Sequence, residues 1–307
     1  MSKADQTRLP VVIYDCFTNE RFGGNIGGLV LEAGDLETGQ MQGIAGEINA
    51  PVTGFVTDIS GNEVSVRFFM PAAEIAMCGH VTIGLFTYLV RKHEGVSDFS
   101  HQFIMKASAG DIEVSVTRSN GGPPRVMMAL TLPRIVSSVI DHQALSDALG
   151  VDATAFSNAA PIEGGDAGLK HLFVPFGSLQ TVQALSPDFV KLDAVSRAHS
   201  VQTIACFTME TTDPGNTLHI RDFCPALGAN EVPASGTTNG ALAGYLARHG
   251  FVKPASLGDP VTVRAEQGTE LGRPSLITTE FSLAGETLTR LQVGGEAVAS
   301  IEGIVHL

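Results

Sequence analysis

Two short segments of this 307-residue chain bring together groups suited to moving a proton: Cys78-Gly79-His80 and Ser235-Gly236-Thr237. A thiolate is a base, and an imidazole exchanges protons near neutral pH. A serine hydroxyl needs help to transfer one. Both triplets open a stretch of helical apolar spacing, so each is predicted to sit at a helix N-terminus. Such a terminus offers unpaired backbone N–H groups and roughly half a positive charge, which favours a bound carboxylate and a thiolate. The expectation is that the Cys78 pKa falls from about 8.5 toward neutrality and that Cys78 acts as the base. An enolate developing beside the bound carboxylate would be held by the same amides, without metal or cofactor. Gly79 and Gly236 suit this role because a missing side chain lets those amides reach a ligand.

Each of these residues also has a plainer reading. Cys78 can be a small core residue, Ser235 a helix cap and His80 an imidazole capping the helix start. Capping accounts for Ser235 better than for Cys78, which strengthens the catalytic reading of the thiol. Ser235 or His80 is then the proton donor opposing Cys78, and His80 can alternatively hydrogen-bond a substrate carboxylate. Of Thr82, Thr237, Thr238 and Asn239 along the first turns, Thr237 is the best candidate for a ligand contact.

The two triplets belong to a repeat. Residues 67–93, RFFMPAAEIAMCGHVTIGLFTYLVRKH, recur as residues 221–249, RDFCPALGANEVPASGTTNGALAGYLARH. One offset pairs Cys78 with Ser235, Gly79 with Gly236, Tyr88 with Tyr245 and Arg91 with Arg248. Upstream, Arg67 pairs with Arg221, Phe69 with Phe223 and Pro71 with Pro225, leaving three extra residues before the second helix. A unit present twice in a chain of this length implies two related lobes with the equivalent turns facing each other. The boundary is placed at Asn120-Gly-Gly-Pro-Pro124, giving a first lobe of residues 10–122, completed by 296–307 if the last strand returns to it, and a second lobe of 123–295.

The elements that position the triplets follow from pattern. Residues 1–9 are polar and loose. Strands at 10–17 and 25–32 flank a loop with Gly23, Gly24 and Asn25, where the backbone can approach a ligand or simply turn. Asn25 supplies both a donor and an acceptor there. Helices are expected at 36–48, at 143–149 closed by Gly150, and at 185–201, with most other apolar runs alternating like strands. The helix after Cys78 is apolar on nearly every side, so strands must surround it.

With 44% hydrophobic and 17% charged residues, the chain can build one large or two ordinary cores. A net charge of −13 opposes attraction to nucleic acid or an anionic membrane surface, which leaves small molecules as the expected partners. The four cysteines show no metal-ligand spacing, so no metal site is expected. The first ten residues lack an apolar targeting core, and no apolar run approaches the ~20 residues that span a bilayer. A cytoplasmic protein with free thiols is the expectation.

With Gly23-Gly24-Asn25, PAAEIAMCGHVTIG at 71–84 and QGTELGRPS at 267–275 in view, the chain resembles the phenazine-biosynthesis isomerase (PhzF-like) family of the diaminopimelate epimerase fold. The resemblance spans nearly the whole length. It implies an α+β fold of two pseudo-symmetric lobes, each a mostly antiparallel barrel-like sheet around a central helix, in a homodimer, with cofactor-free proton transfer between the lobes. By similarity His80, Gly79, Gly236 and Thr237 match substrate-binding or catalytic positions, and Asn25 and residues 272–275 match family motifs. Two positions depart from the pattern. The glutamate of the family's NLSE-type motif aligns with Val52, and the aspartate of its ED-x-x-TGS motif aligns with Val232. The dihydro-hydroxyanthranilate isomerisation is therefore not the expected reaction. MCGHVTIG is instead similar to the MCGHGTIG segment of proline racemases and hydroxyproline epimerases, whose cysteine is one of two facing bases, and Ser235 stands where their second cysteine would be.

The combined expectation is a cofactor-independent isomerase or epimerase that moves a proton next to the carboxylate of a small amino or hydroxy acid. A dehydratase of a hydroxylated amino acid using the same groups, and a noncatalytic small-molecule-binding member of the family, are the alternatives.

Overall fold

The structure, a computed structural model, describes residues 8–93, 95–136, 140–256, 258–285 and 287–307, with every side chain among them except that of Lys92. Residues 1–7, within the stretch expected to be loose, lie outside the described residues. The chain divides into two compact units, Met1–Ala129 with Gly294–Leu307, and Leu130–Val293.

The first unit holds β1 (Arg8–Cys16), β2 (Asn25–Val30), α1 (Thr38–Ile48), β3 (Val52–Ser60), β4 (Glu63–Phe69), β5 (Glu74–Ile75), α2 (Gly79–Leu89), β6 (Phe99–Ala107), β7 (Gly110–Arg118) and β8 (Arg125–Ala129). The last strand of the chain, Ala297–His306, pairs antiparallel with β1 from Arg8↔His306 to Cys16↔Ala297. Helix α2 lies inside the strands, with Val81, Ile83, Leu85 and Phe86 fully buried. Its close approach to the sheet depends on Gly54 of β3, where an added Cβ would meet Val81 Cγ1 at 2.7 Å.

The second unit holds β9 (Arg134–Val136), α3 (His142–Leu149), β10 (Glu163–Asp166), β11 (Lys170–Pro175), α4 (Leu179–Ala184), α5 (Phe189–Ala198), β12 (Thr203–Thr208), β13 (Leu218–Cys224), β14 (Ala229–Val232), α6 (Gly236–Arg248), β15 (Val261–Gln267), β16 (Ser275–Ala284) and β17 (Thr287–Gly295). Helix α6 occupies its core, with Tyr245 buried and its hydroxyl donating to Pro161 O at 2.8 Å. An added Cβ at Gly240 would meet Leu130 Cδ1 at 2.5 Å, so this helix too reaches its sheet through a glycine.

The repeat read from the sequence is a repeat of topology. β1–β2 is antiparallel, β2–β3 parallel, β3–β4 antiparallel, β4–β6 parallel and β6–β7 antiparallel. The same succession runs through β10–β11, β11–β12, β12–β13, β13–β15 and β15–β16. The fold is α+β, each unit a sheet around one inner helix. The three extra residues of the second copy are accommodated by the 3-10 turn Pro225–Leu227, closed by Gly228 at φ 85°. Among the described residues no helix is long and apolar enough to cross a membrane.

One expected element is corrected. Within the 185–201 span only α5, Phe189–Ala198, is helical, and a separate short helix, α4, ends before it at Ala184. Ser178 caps α4 by accepting from Thr181 N, and Asp188 caps α5 by accepting from Val190 N and Lys191 N. Pro187 lies just before this cap, outside the helix, and the Asp188 carboxylate satisfies the amides that start α5.

Candidate active site

The two candidate groups belong to different units, and each is built by its own strand-turn-helix. In the first unit β4 leads through Pro71 to β5, which pairs back on it at Phe68↔Ile75 and Phe69↔Glu74. Arg67 clasps Glu74 bidentately, Nε to Oε1 at 2.8 Å and Nη2 to Oε2 at 2.7 Å. In the second unit Arg221 clasps Glu231 in the same manner, at 2.9 and 2.8 Å. Each arginine also lies over a phenylalanine two residues on, Phe69 or Phe223. An arginine fork thus fixes the turn that delivers each helix start.

The helix starts share a backbone. Cys78 is the N-cap of α2 at φ −141°, ψ 116°, and Ser235 is the N-cap of α6 at φ −138°, ψ 111°. The side chain four residues on returns to the cap carbonyl in both, Thr82 Oγ1 donating to Cys78 O at 2.8 Å and Asn239 Nδ2 donating to Ser235 O at 2.9 Å.

Beside Cys78 the first unit places His80. Cys78 Sγ lies 3.3 Å from His80 Nδ1. The His80 ring is also hydrogen-bonded to the Ile26 backbone, next to Asn25 at the start of β2, in a bond that favours the protonated ring. An added Cβ at Gly79 would meet only Met128 Sδ, at the ordinary distance of 3.8 Å. Packing does not require the glycine, which leaves that face of the helix start bare.

The expected lowering of the Cys78 pKa is corrected. Burial pushes the thiol up from 9.0 to about 12, although the Val81 and His80 amides pull the other way. The sign of the helix-terminus effect is as expected and its size is too small. A rise of that extent opposes the thiolate by roughly 4 kcal/mol, whereas a helix terminus returns at most about 2 kcal/mol. His80 likewise is no acid near pH 7, because burial drives its pKa down to about 4. A thiol beside a neutral imidazole is the resting state.

Around Ser235 the second unit builds hydrogen bonds instead. Ser235 Oγ accepts from Thr238 N at 3.3 Å, which is a true cap, and lies 3.2 Å from Thr237 Oγ1 and 2.8 Å from Thr238 Oγ1. Thr238 Oγ1 donates to Asp222 Oδ2 at 2.6 Å. Asn239 Nδ2 also donates to Gln267 Oε1, whose Nε2 donates to Val232 O. The 267–275 motif thereby braces α6, and Gly268, at φ 80°, allows it: a Cβ there would stand 2.6 Å from Pro233 O. Gly236 is buried and Thr237 partly exposed.

Residues 14–303 match the family described as phenazine biosynthesis-like protein. The chain belongs to that family. Among its phenazine biosynthesis-like relatives, it is 33% identical over 297 residues to the trans-2,3-dihydro-3-hydroxyanthranilate isomerase of Pseudomonas fluorescens, covering 96% of this chain and 99% of that one. It is similar to the crystal structure of a PhzF-family phenazine biosynthesis protein from Bacillus anthracis, with a TM-score of 0.86, 25% identity and coverage of 97% and 99% of the two chains. The fold alone is shared with a hydroxyproline epimerase from Agrobacterium vitis solved with bound trans-4-hydroxy-L-proline, at a TM-score of 0.61 and 13% identity over 98% and 93%.

The two positions expected to depart from the family motifs, Val52 and Val232, have clear places. Val52 begins β3, opposite Gly27. Val232 ends β14 as the register partner of Asp222. Asp222 is the group behind Ser235 that the sequence does not single out, whereas Thr238 is among the first-turn candidates and Gln267 opens the 267–275 motif. The signal for Asp222 was a charged residue within the strand RDFC, where the first copy has Phe68. Of the remaining cysteines, Cys16 lies in β1 and Cys206 in β12, both fully buried, and burial raises the Cys206 thiol well above its ordinary range.

Proposed function

We propose that this chain is a cofactor-independent isomerase that moves a proton next to the carboxylate of a small amino acid, with Cys78 as base and Ser235 as proton donor. The observation that carries this reading is the Cys78 sulfur seated on the start of α2, 3.3 Å from His80 Nδ1, with backbone amides of His80 and Val81 favouring its charged form. Those amides serve twice, since an N–H that stabilises a thiolate also stabilises a carboxylate or an enolate oxygen.

The resting thiol determines what the substrate must bring. Thiolate is a minor species at pH 7 with a pKa of about 12, and neither burial nor the neutral His80 supplies a compensating charge. A substrate whose amino group arrives unprotonated takes the thiol proton and becomes ammonium beside thiolate, an opposite-charge pair that favours ionisation. The thiolate then removes the proton from the carbon next to the carboxylate. This selects an amino acid over a hydroxy acid of the same skeleton.

The test is deuterium uptake at that carbon in D2O, followed by NMR with proline, trans-4-hydroxy-L-proline and the acyclic 2-amino and 2-hydroxy acids of matching size. Uptake confined to amino acids and lost in Cys78→Ala is the expected result. Uptake that persists in Cys78→Ala overturns the assignment of the base, and equal uptake into hydroxy acids overturns the charge argument.

A further inference from the structure

The group directly behind Ser235 is a buried carboxylate that the proposed function does not use. Asp222 is fully buried on β13, and Thr238 Oγ1 bridges it to Ser235 Oγ at 2.6 and 2.8 Å. A hydroxyl has one proton to donate. With Asp222 ionised, Thr238 donates to the carboxylate and accepts from Ser235 O–H; with Asp222 protonated, the carboxyl donates to Thr238 and Thr238 donates to Ser235, so the chain is continuous in both orders. The Thr203 hydroxyl also hydrogen-bonds the Asp222 carboxyl, and His171 Nδ1 stands 2.8 Å from Thr203 Oγ1. Asp222 Oδ1 is buried without a partner at proper hydrogen-bond geometry, and so is His171 Nε2. A carboxylate with one oxygen unengaged in a dry interior takes up a proton more readily than a solvated one, and the proton that passes to Thr238 is the one carried on Oδ2.

We propose that Asp222 exchanges protons with Ser235 through Thr238, so that a serine otherwise unable to act as acid or base becomes the proton-transferring group of the second unit. This deepens the proposed function, on which it rests for the identity of the substrate. In the donor direction Ser235 gives its proton to the substrate carbon, takes the Thr238 hydroxyl proton, and Thr238 takes the proton of the Asp222 carboxylic acid. One C–H bond forms, one carboxyl O–H bond breaks, and a carboxylate remains. The acceptor direction is the reverse. No electrons are transferred, and Ser235 never carries a full charge. Asp222 is a relay residue acting through Ser235 and makes no contact with substrate.

The titration of Asp222 fits such a reservoir. Burial raises its pKa to about 6, against the hydrogen bonds from Thr238 and Thr203 that favour the carboxylate, and Glu231 adds to the rise. The groups facing it from packed elements are few. Glu231 on β14 and Arg221 on β13 are engaged with each other at 2.8 Å, and His171 on β11 is held neutral by burial, with a pKa of about 4. Cys206 on β12 and Cys224 on β13 are thiols that burial keeps protonated. Near pH 6 both forms of Asp222 are present, so the relay can run in either direction. Donation by Ser235 declines as pH rises through about 6.

The experiment has two arms. In the ligand-free protein the Asp222 carboxyl is followed by 13C NMR of aspartate-labelled samples and assigned with Asp222→Asn. The expected midpoint lies near pH 6, rises in Thr238→Val, which removes a hydrogen bond to the charged form, returns in Thr238→Ser, and moves in Ser235→Ala. A midpoint in the ordinary carboxylate range, or one indifferent to Ser235→Ala and Thr238→Val, overturns the relay whether or not a substrate is in hand. In the second arm, stereochemical inversion of an amino acid accepted in the deuterium assay is measured against pH. Asp222→Asn and Thr238→Val are expected to lower kcat by about 10- to 100-fold with little change in KM and to remove the limb near pH 6, and Thr238→Ser to recover both. A wild-type pH profile in Asp222→Asn overturns the relay and leaves the Cys78 assignment standing. If no amino acid exchanges, the proposed function fails and the first arm alone decides the proton path.

Discussion

The starts of α2 and α6 have nearly the same backbone and opposite chemistry. Cys78 and Ser235 differ by only a few degrees in φ and ψ, and each is held by an arginine fork and by a side chain returning from four residues on. The residues behind them diverge. At the third helical position the first copy has Val81, fully buried in the space left by Gly54, and the second has Thr238, hydrogen-bonded to Asp222. At the strand position facing that residue the first copy has Phe68 and the second Asp222. An apolar backing raises the thiol pKa and makes its ionisation wait for a charge from outside. A polar backing connects a hydroxyl to a titratable group. Duplication conserved the scaffold, and two substitutions behind each cap set the chemistry.

The largest effect separates the two caps by activity. Cys78→Ala is expected to lower exchange at the substrate carbon by about 10^3-fold, within the range for removing a proton-transferring group, measured by isotope uptake under saturating amino acid. Loss of the same size in His80→Ala with Cys78→Ala nearly active would invert the first-unit assignment.

Next come the arginine forks. Arg221 and Glu231 are nearly inaccessible, with 8% and 5% of their side chains exposed, whereas Arg67 and Glu74 are each 31% exposed. Glu231→Gln leaves a buried guanidinium without its carboxylate and is expected to cost about 3–5 kcal/mol, while Glu74→Gln costs about 1 kcal/mol or less. Denaturant titration of both variants checks this, and equal losses would mean that burial does not distinguish the copies.

Asp222 gives a pH signature of comparable size. Its pKa in the folded protein, about 6, lies above the ordinary 3.8. The folded state therefore holds the proton more tightly, and this group's contribution to stability falls as pH rises between those two values. The stability of the wild type relative to Asp222→Asn should drop by roughly 3 kcal/mol from pH 3.5 to pH 7. A flat difference would place the carboxylate in a better-solvated setting than the geometry shows.

The smallest effect concerns capping. Ser235→Ala removes the acceptor for Thr238 N and is expected to cost about 1 kcal/mol. Cys78 makes no side-chain capping hydrogen bond, so Cys78→Ala carries no comparable capping cost. Thermal unfolding of the two variants reads the contrast.

Much of this was legible before any coordinates. The repeat placed both helix starts because glycine, arginine and tyrosine recur at fixed offsets, and the all-round apolar character of 79–90 announced an enclosed helix. The fork partners Glu74 and Glu231 recur at the helix offset while Arg67 and Arg221 recur at the strand offset, a regularity that emerges only once β4–β5 and β13–β14 are seen to pair. The direction of the Cys78 shift is not legible in sequence, because a helix terminus is local whereas desolvation depends on which distant residues close around the sulfur. Asp222 was missed for a related reason: strand periodicity shows which face a residue occupies, but not that a threonine sixteen positions later arrives against it. The 185–201 helix failed on Asp188, whose capping role was readable and was outweighed by the apolar periodicity on either side.

The most direct test is to separate isotope exchange from inversion in the two cap variants with one enantiomer of an accepted amino acid in D2O. With Cys78 as base, Ser235→Ala should still wash deuterium into the starting enantiomer while losing inversion, and Cys78→Ala should do neither. Exchange retained in Cys78→Ala and lost in Ser235→Ala would contradict the account, because the proton would then leave through the hydroxyl and not through the thiol.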